Sequence, residues 1–228
     1  MTTAGGWAAT VRARMGLGRL LPLGGAGDGA WLTERAAEGV LRAAAAREVR
    51  GAVLGRLRIG LVGTETTAEP AVPPPPAALP PGPLRIEAEF EAAPDEPIPA
   101  LAQRLRAALH AASAERLDLA VTEIDLRVTA LLDAVAEPEP VNPPAGVPAV
   151  TPQDEVGTTA AAVPGVAHLT GTLGVPVRIE EASVRVECAT SPGHRPLAVA
   201  LAVREAVIPV LPSPVPVAVL ITDVPTGP

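Results

Sequence analysis

Residues 84–91 read Leu84-Arg85-Ile86-Glu87-Ala88-Glu89-Phe90-Glu91, and residues 121–128 read Val121-Thr122-Glu123-Ile124-Asp125-Leu126-Arg127-Val128. In both stretches apolar residues alternate with polar or charged ones, the period of two that a strand with one buried and one wet face imposes. Between them Pro99 opens a segment whose Leu101, Leu105, Ala108, Leu109 and Ala112 fall on one face at about 100° per residue, which is a helix. A strand, a helix and a strand at this spacing make a parallel pair with a right-handed crossover, set beside an antiparallel neighbour.

Working outward, Thr33 is an N-cap with Glu34 in the first turn, and Val40, Leu41, Ala44 and Ala45 continue at helical spacing to about Arg47. After Gly51 the stretch Ala52 to Leu61 sets Val53, Gly55, Leu57, Ile59 and Leu61 against polar or small residues, a strand. Downstream the order recurs: a short helix over 154–163, Gly165, strands near 166–173 and within 175–188, a helix from Pro196 to about Ile208, and a strand over 217–222. Both halves read helix, glycine, strand, strand, helix, strand, an architectural repeat. The fold expected is α+β, two tandem small units, each a three-stranded mixed sheet with covering helices. The boundaries that follow are a Gly/Arg-rich segment over 1–30, a first unit over 31–134 with a Pro-rich insertion at 64–83, a Pro-rich linker over 135–153, and a second unit over 154–224. Eight prolines between Pro70 and Pro83 favour stiff polyproline II. Pro73 to Pro76 suit an aromatic groove or a spacer, and without a specificity-giving pattern around them the spacer is the plainer use.

Composition removes chemistry. The 228 residues include no lysine, 18 arginines, three histidines, one cysteine, two tryptophans and one phenylalanine. Without an amine that deprotonates there is no Walker-type loop, Schiff base or lysine general base. One cysteine excludes an internal disulfide and a multi-thiolate zinc site, and scattered histidines argue against a histidine metal site. All-arginine basicity with 44 alanines carries the bias of a GC-rich genome. No run of about 18 apolar residues occurs, and Ala206 to Ile221 carries four prolines, so no membrane span is expected. Leu17 to Leu23 is too short and interrupted for a signal-peptide core, which leaves a cytoplasmic chain. Net charge is −7, against nucleic-acid binding. Residues 1–60 carry +5, 61–142 carry −9 and the rest −3, so the basic start and acidic middle pack on each other or join copies head to tail.

The run from Thr33 through Ala43 to Val49-Arg50-Gly51 and Val53, together with Ile98-Pro99-Ala100-Leu101 and the closing strand Val121 to Val128, resembles the alkaline shock protein family, also called the cell envelope stress response family. Val163-Pro164-Gly165-Val166 and the elements after it match the same plan more loosely. The resemblance spans about 33–133 and 154–223. It implies a small, non-enzymatic α+β protein that associates with itself and with a membrane-anchored protein partner near the envelope; from the composition, no cofactor or metal is expected. The proline insertion and the glycine-rich entry depart from the family's compact pattern, and the second copy lacks an acidic closing strand.

Glu87, Glu89 and Glu91 share one strand face, and Glu123 and Asp125 share a face of the strand expected beside it. Five carboxylates against Arg85 and Arg127 suit a solvated surface with cross-strand arginine pairs, a divalent cation, or a basic partner such as the arginine-rich start of another copy. The first is the plain reading. The helix from Leu197 to Ile208 sets Leu197, Leu201 and Ile208 against Val199, Val203 and Ala206 on nearly opposite faces, so both sides are expected to be covered, Val199 and Val203 meeting the other unit or another chain. Cys188 lies on the apolar side of its strand, a core thiol and not a nucleophile paired with His194. His110 is expected in solvent, and His168 has no acid near it in sequence. Gly16 to Gly29 lack the preceding strand that a dinucleotide loop needs. Trp7, Val11 and Met15 form a stripe for packing on the first unit or resting on an anionic membrane. A self-associating interaction protein is the function these features favour; a small-ligand or regulatory module using the groove between the units is the alternative.

Overall fold

The computed structural model describes residues 18–63, 70–134 and 146–226. The Trp7 to Met15 stripe therefore lies outside the described residues, as do 64–69 and 135–145. The chain runs β1 (Leu20–Leu23), β2 (Ala30–Thr33), α1 (Glu34–Glu48), β3 (Ala52–Leu61), β4 (Leu84–Ala92), α2 (Ile98–Arg116), β5 (Val121–Leu131), α3 (Glu155–Ala161), β6 (Val166–Leu169), β7 (Val177–Ile179), β8 (Val184–Thr190), α4 (Pro196–Val207) and β9 (Val217–Asp223).

Two mixed sheets make an α+β fold. The smaller has order β3-β4-β5, antiparallel then parallel; the larger has order β1-β2-β9-β8-β6, with β7 also on β8. Within the larger one, β6, β8 and β9 pair antiparallel then parallel, as β3, β4 and β5 do. The expected three-stranded second sheet is instead six-stranded: residues 20–33, across the expected boundary at 30, form a hairpin whose β2 runs parallel to β9, and the stretch expected as one strand within 175–188 is two, β7 folding back on β8. Gly24, in the left-handed region at φ 69°, turns that hairpin, and Asp28 Oδ2 accepts from the Gly25 N–H at 2.7 Å. Thr33 then holds two jobs. Its hydroxyl accepts from the Ala36 N–H to cap α1 and donates to the Thr222 carbonyl of β9.

One continuous core joins the inner faces of both sheets to the helices, from Leu21 and Leu32 through Ile86, Phe90 and Leu105 to Val186 and Val219. Strand β9 is buried on both faces, since Ala218 and Leu220 join Leu20, Trp31, Val72 and Leu173 in a second cluster on the outside of the large sheet. Val72 brings the proline-rich segment into that cluster at 0% exposure. The Leu20 N–H donates to Ala77 O and Leu79 N–H to Leu20 O, so residues 70–79 are a strap laid across the large sheet, not a free spacer. The segment just before α3 is held similarly, Val150 bridging Leu169 and the Val147 N–H donating to Asp223 Oδ2.

Helix α4 is covered on one side only. Val199, Ala200, Val203 and Val207 form its buried stripe, while Leu201 and Ile208 are 38% and 50% exposed. Val199 and Val203 are therefore core residues packed inside the chain and unavailable to a second one. The wheel explains this: positions 199, 200, 203 and 207 fall within about 100° of arc. The first half meets this helix at its start, where Asp118 Oδ2 accepts from the Leu197 N–H at 3.0 Å, Oδ1 pairs with Arg195, and Arg195 donates to the Ala114 carbonyl.

Candidate interaction surface

The outer face of β3-β4-β5 gathers most of the charge that the sequence singled out. Along β4 burial alternates at every residue: Ile86, Ala88 and Phe90 point into the core, and Arg85, Glu87, Glu89 and Glu91 point out. The register sets Arg85 opposite Glu123, Glu87 opposite Asp125, Glu89 opposite Arg127 and Glu91 opposite Ala130. All five carboxylates thus lie on one face. Arg85 bridges two of them, with Nη2 2.5 Å from Glu123 and Nε 3.5 Å from Asp125, and Arg127 pairs with Glu89. The Glu123 hydrogen bond raises the Arg85 guanidinium above its usual range.

Strand β3 changes the balance. Leu54 opposes Phe90 but Leu57 opposes Ala88, so one extra residue bulges near Gly55 and Arg56 and inverts the strand's phase. Val53, read as an inward residue, is 43% exposed. Beyond the bulge Arg56 and Arg58 stand on the outer face, Arg58 opposite Glu87. The acids therefore face Arg56, Arg58, Arg85 and Arg127, not the last two alone. This interleaving suits charge pairing better than a cation, and among the described residues no three His, Cys, Asp or Glu side chains gather to hold a metal ion. Two adjoining clefts mark the face. One of about 390 Å³ lies between Arg56, Arg58, Glu87, Glu89, Asp125 and Arg127; the other, about 460 Å³, reaches Arg19 and Gly60.

The sheet's two edges differ. On β3 the Ile59 N–H donates to Glu34 Oε1 at 2.9 Å, Ile59 O accepts from Arg19 Nη1 at 3.3 Å, and Arg42 donates to the Leu54 and Gly55 carbonyls at 2.9 and 2.6 Å. Glu34 is 1% exposed and also accepts from the Arg19 N–H at 3.0 Å. On β5 the described residues supply a single outward cap, Arg106 Nε to Ile124 O at 3.2 Å. Exposure follows: Leu57 and Ile59 are closed over at 3% and 0%, whereas Ile124, Leu126 and Val128 are half-buried.

The remaining titratable groups are tied into the fold. Burial pushes the Cys188 thiol up to about 12, which removes the thiolate. His194, exposed, has Nδ1 3.2 Å from Pro192 O, His168 Nε2 lies 2.9 Å from Val147 O, and His110 is exposed. Glu187, fully buried on the outer side of β8, accepts from Thr172 Oγ1, the Leu173 N–H and Arg185 Nε; burial raises its carboxyl above the usual range. It fastens the 170–174 loop to the sheet. Glu187 was not singled out in the sequence and Glu34 was read only as a first-turn acid, because nothing in the local pattern distinguishes a buried glutamate from a wet one. Among the described residues no helix is long and apolar enough to cross a membrane. No family model, curated protein or solved structure matches the chain.

Proposed function

We propose that this chain is a non-catalytic, self-associating structural protein built from two tandem helix-strand-strand-helix-strand units, residues 64–83 being an insertion in the first. The observation that supports it is the β5 edge. The Ile124 carbonyl points away from β4, and with a period of two Leu126 and Val128 share that direction. Antiparallel pairing of β5 with a second copy, centred on Leu126, sets Asp125 opposite Arg127 twice and Ile124 opposite Val128 twice. Centring on Asp125 would oppose that carboxylate to itself, which is unfavourable. The favoured register is isologous and closes as a two-fold dimer. Glu87, Glu89, Glu91 and Glu123 flank the seam as acidic surface for a basic partner.

Paired single variants test this by light scattering over a concentration series. Asp125→Arg and Arg127→Asp each put two like-charge pairs in the seam and weaken self-association by at least about tenfold. Mixed in equal amounts, they restore complementary pairs and reassociate. A monomeric native chain, single variants that associate as the native does, or a mixture that stays apart would sink the proposal.

A cytoplasmic location and a membrane-anchored protein partner belong to the same proposal, the first resting on the interrupted Leu17 to Leu23 stretch and the second on the resemblance to the alkaline shock family. A second reading, a small-ligand or regulatory module working between the two halves, is favoured by one feature: the larger cleft lies where Arg19, leading into the large sheet, meets β3 and β4 of the small one.

A further inference from the structure

Gly60 is the floor of that larger cleft. It follows Arg56 and Arg58 on the outer face of β3 and opposes Arg85 across the ladder. Its backbone does not require glycine, since its φ lies outside the left-handed region that Gly51 and Gly63 occupy. What glycine provides is room. A Cβ at position 60 would stand 3.1 Å from Arg19 Nη1, the atom that donates to Ile59 O, so the bare backbone lets the Arg19 guanidinium lie over the strand. Glycine inside a strand costs stability and often marks a place where a ligand or another backbone approaches closely.

Around this floor stand four guanidinium groups, from Arg19, Arg56, Arg58 and Arg85, with Glu87 the single carboxylate of the lining. Arg85 is fixed by Glu123 and Arg19 by the Ile59 carbonyl. Arg56 and Arg58 make no hydrogen bond or ion pair among the described residues, although Arg58 also lies in the field of Glu38 on α1. Arg85 is already paired with Glu123 and Asp125, and Glu87 lines the cleft, so the charge left for an anion to offset in this space of about 460 Å³ is that of Arg19, Arg56 and Arg58. The planar guanidinium fork matches a tetrahedral oxyanion bidentately.

We propose that the cleft over Gly60 binds a compact phosphate-type dianion, held by Arg56 and Arg58 from one side and by Arg19 and Arg85 from the other. The proposal rests on the ligand-module reading and is independent of pairing through β5. Calorimetric titration of the intact chain with inorganic phosphate and pyrophosphate, at ionic strength matched with chloride, is the test, with succinate as a carboxylate dianion. Vesicles of phosphatidylglycerol or phosphatidylcholine separate a lipid headgroup from a free phosphate. Saturable binding of phosphate, pyrophosphate or phosphatidylglycerol vesicles is expected, about tenfold weaker for each guanidinium lost in Arg56→Gln and Arg58→Gln. Gly60→Ala, which crowds Arg19, weakens it too, and Arg178→Gln, on β7 of the other sheet, leaves it unchanged. Binding that survives the Arg56→Gln/Arg58→Gln pair overturns the site. Succinate binding without phosphate binding overturns the ligand class while leaving a ligand module, and no binding by any probe overturns both.

Discussion

Strands β3 and β5 flank the same small sheet, yet one is sealed and the other open. At β3 the bare backbone of Leu54, Gly55 and Ile59 is met by Arg19, Glu34 and Arg42, side chains brought by the hairpin approach and by α1. At β5 one exposed arginine touches one carbonyl. Edge strands are usually blunted by bulges, charges or covering elements. β3 has all three, and β5 has its alternating charges. A sealed edge belongs to the interior of the chain, and an open one with self-complementary charges is where the proposed pairing of two copies would form.

The largest way to break that contrast is Glu34→Ala. It removes the acceptor of two backbone N–H groups from a 1% exposed position, and should cost about 3 kcal/mol, a fall in melting temperature of roughly 10 °C. Thermal unfolding unchanged within about 2 °C would mean that the β3 seal is not structural. Arg42→Ala opens only two carbonyls that water can reach, so urea unfolding should register about 1 kcal/mol; a loss as large as that of Glu34→Ala would contradict the ranking. Arg106→Ala should be the smallest, leaving stability within about 0.5 kcal/mol and tightening self-association about threefold as the Ile124 carbonyl is freed. Weaker association would show that Arg106 belongs to the seam instead of guarding it.

The two quoted strands, the Pro99 helix and the α+β class were legible because these elements keep a clean period of two or 3.6 residues, whereas the stretch within 175–188, expected as one strand, is the two strands β7 and β8. Helix α1 was legible from its Thr33 cap. The β1-β2 hairpin was not, although Leu20-Leu21-Pro22-Leu23 and Ala30-Trp31-Leu32-Thr33 bracket a Gly/Asp turn; with β9 nearly 190 residues away, no local period shows what closes over it. Prolines at 70–83 read as a spacer because packing of Val72 against Trp31 is a tertiary matter. The acidic face was visible, and the alternation already set Arg56 and Arg58 opposite Leu57 and Ile59, but not that they stand beside those acids, since the register of β3 on β4 is a tertiary matter; the bulge at Gly55 and Arg56 displaced only Val53 from its expected side. In α4 both stripes were seen and both were expected to be covered, but only one is: β-branched Val199 and Val203 sit in the core, while Leu201 and Ile208 on the other side are exposed.

The pairing of β2 with β9 also orders events in time. The hydrogen bond from Thr33 to Thr222 spans 189 positions, and β9 is the last strand among the described residues. Until β9 arrives, β2 and β8 have no strand between them, and the strap at 70–79 has only part of its platform. The small sheet, whose strands are close in sequence, is free to form early, while the large sheet waits on a long loop closure. The edge strand β5, on which the proposed pairing rests, belongs to the sheet that needs no such long closure.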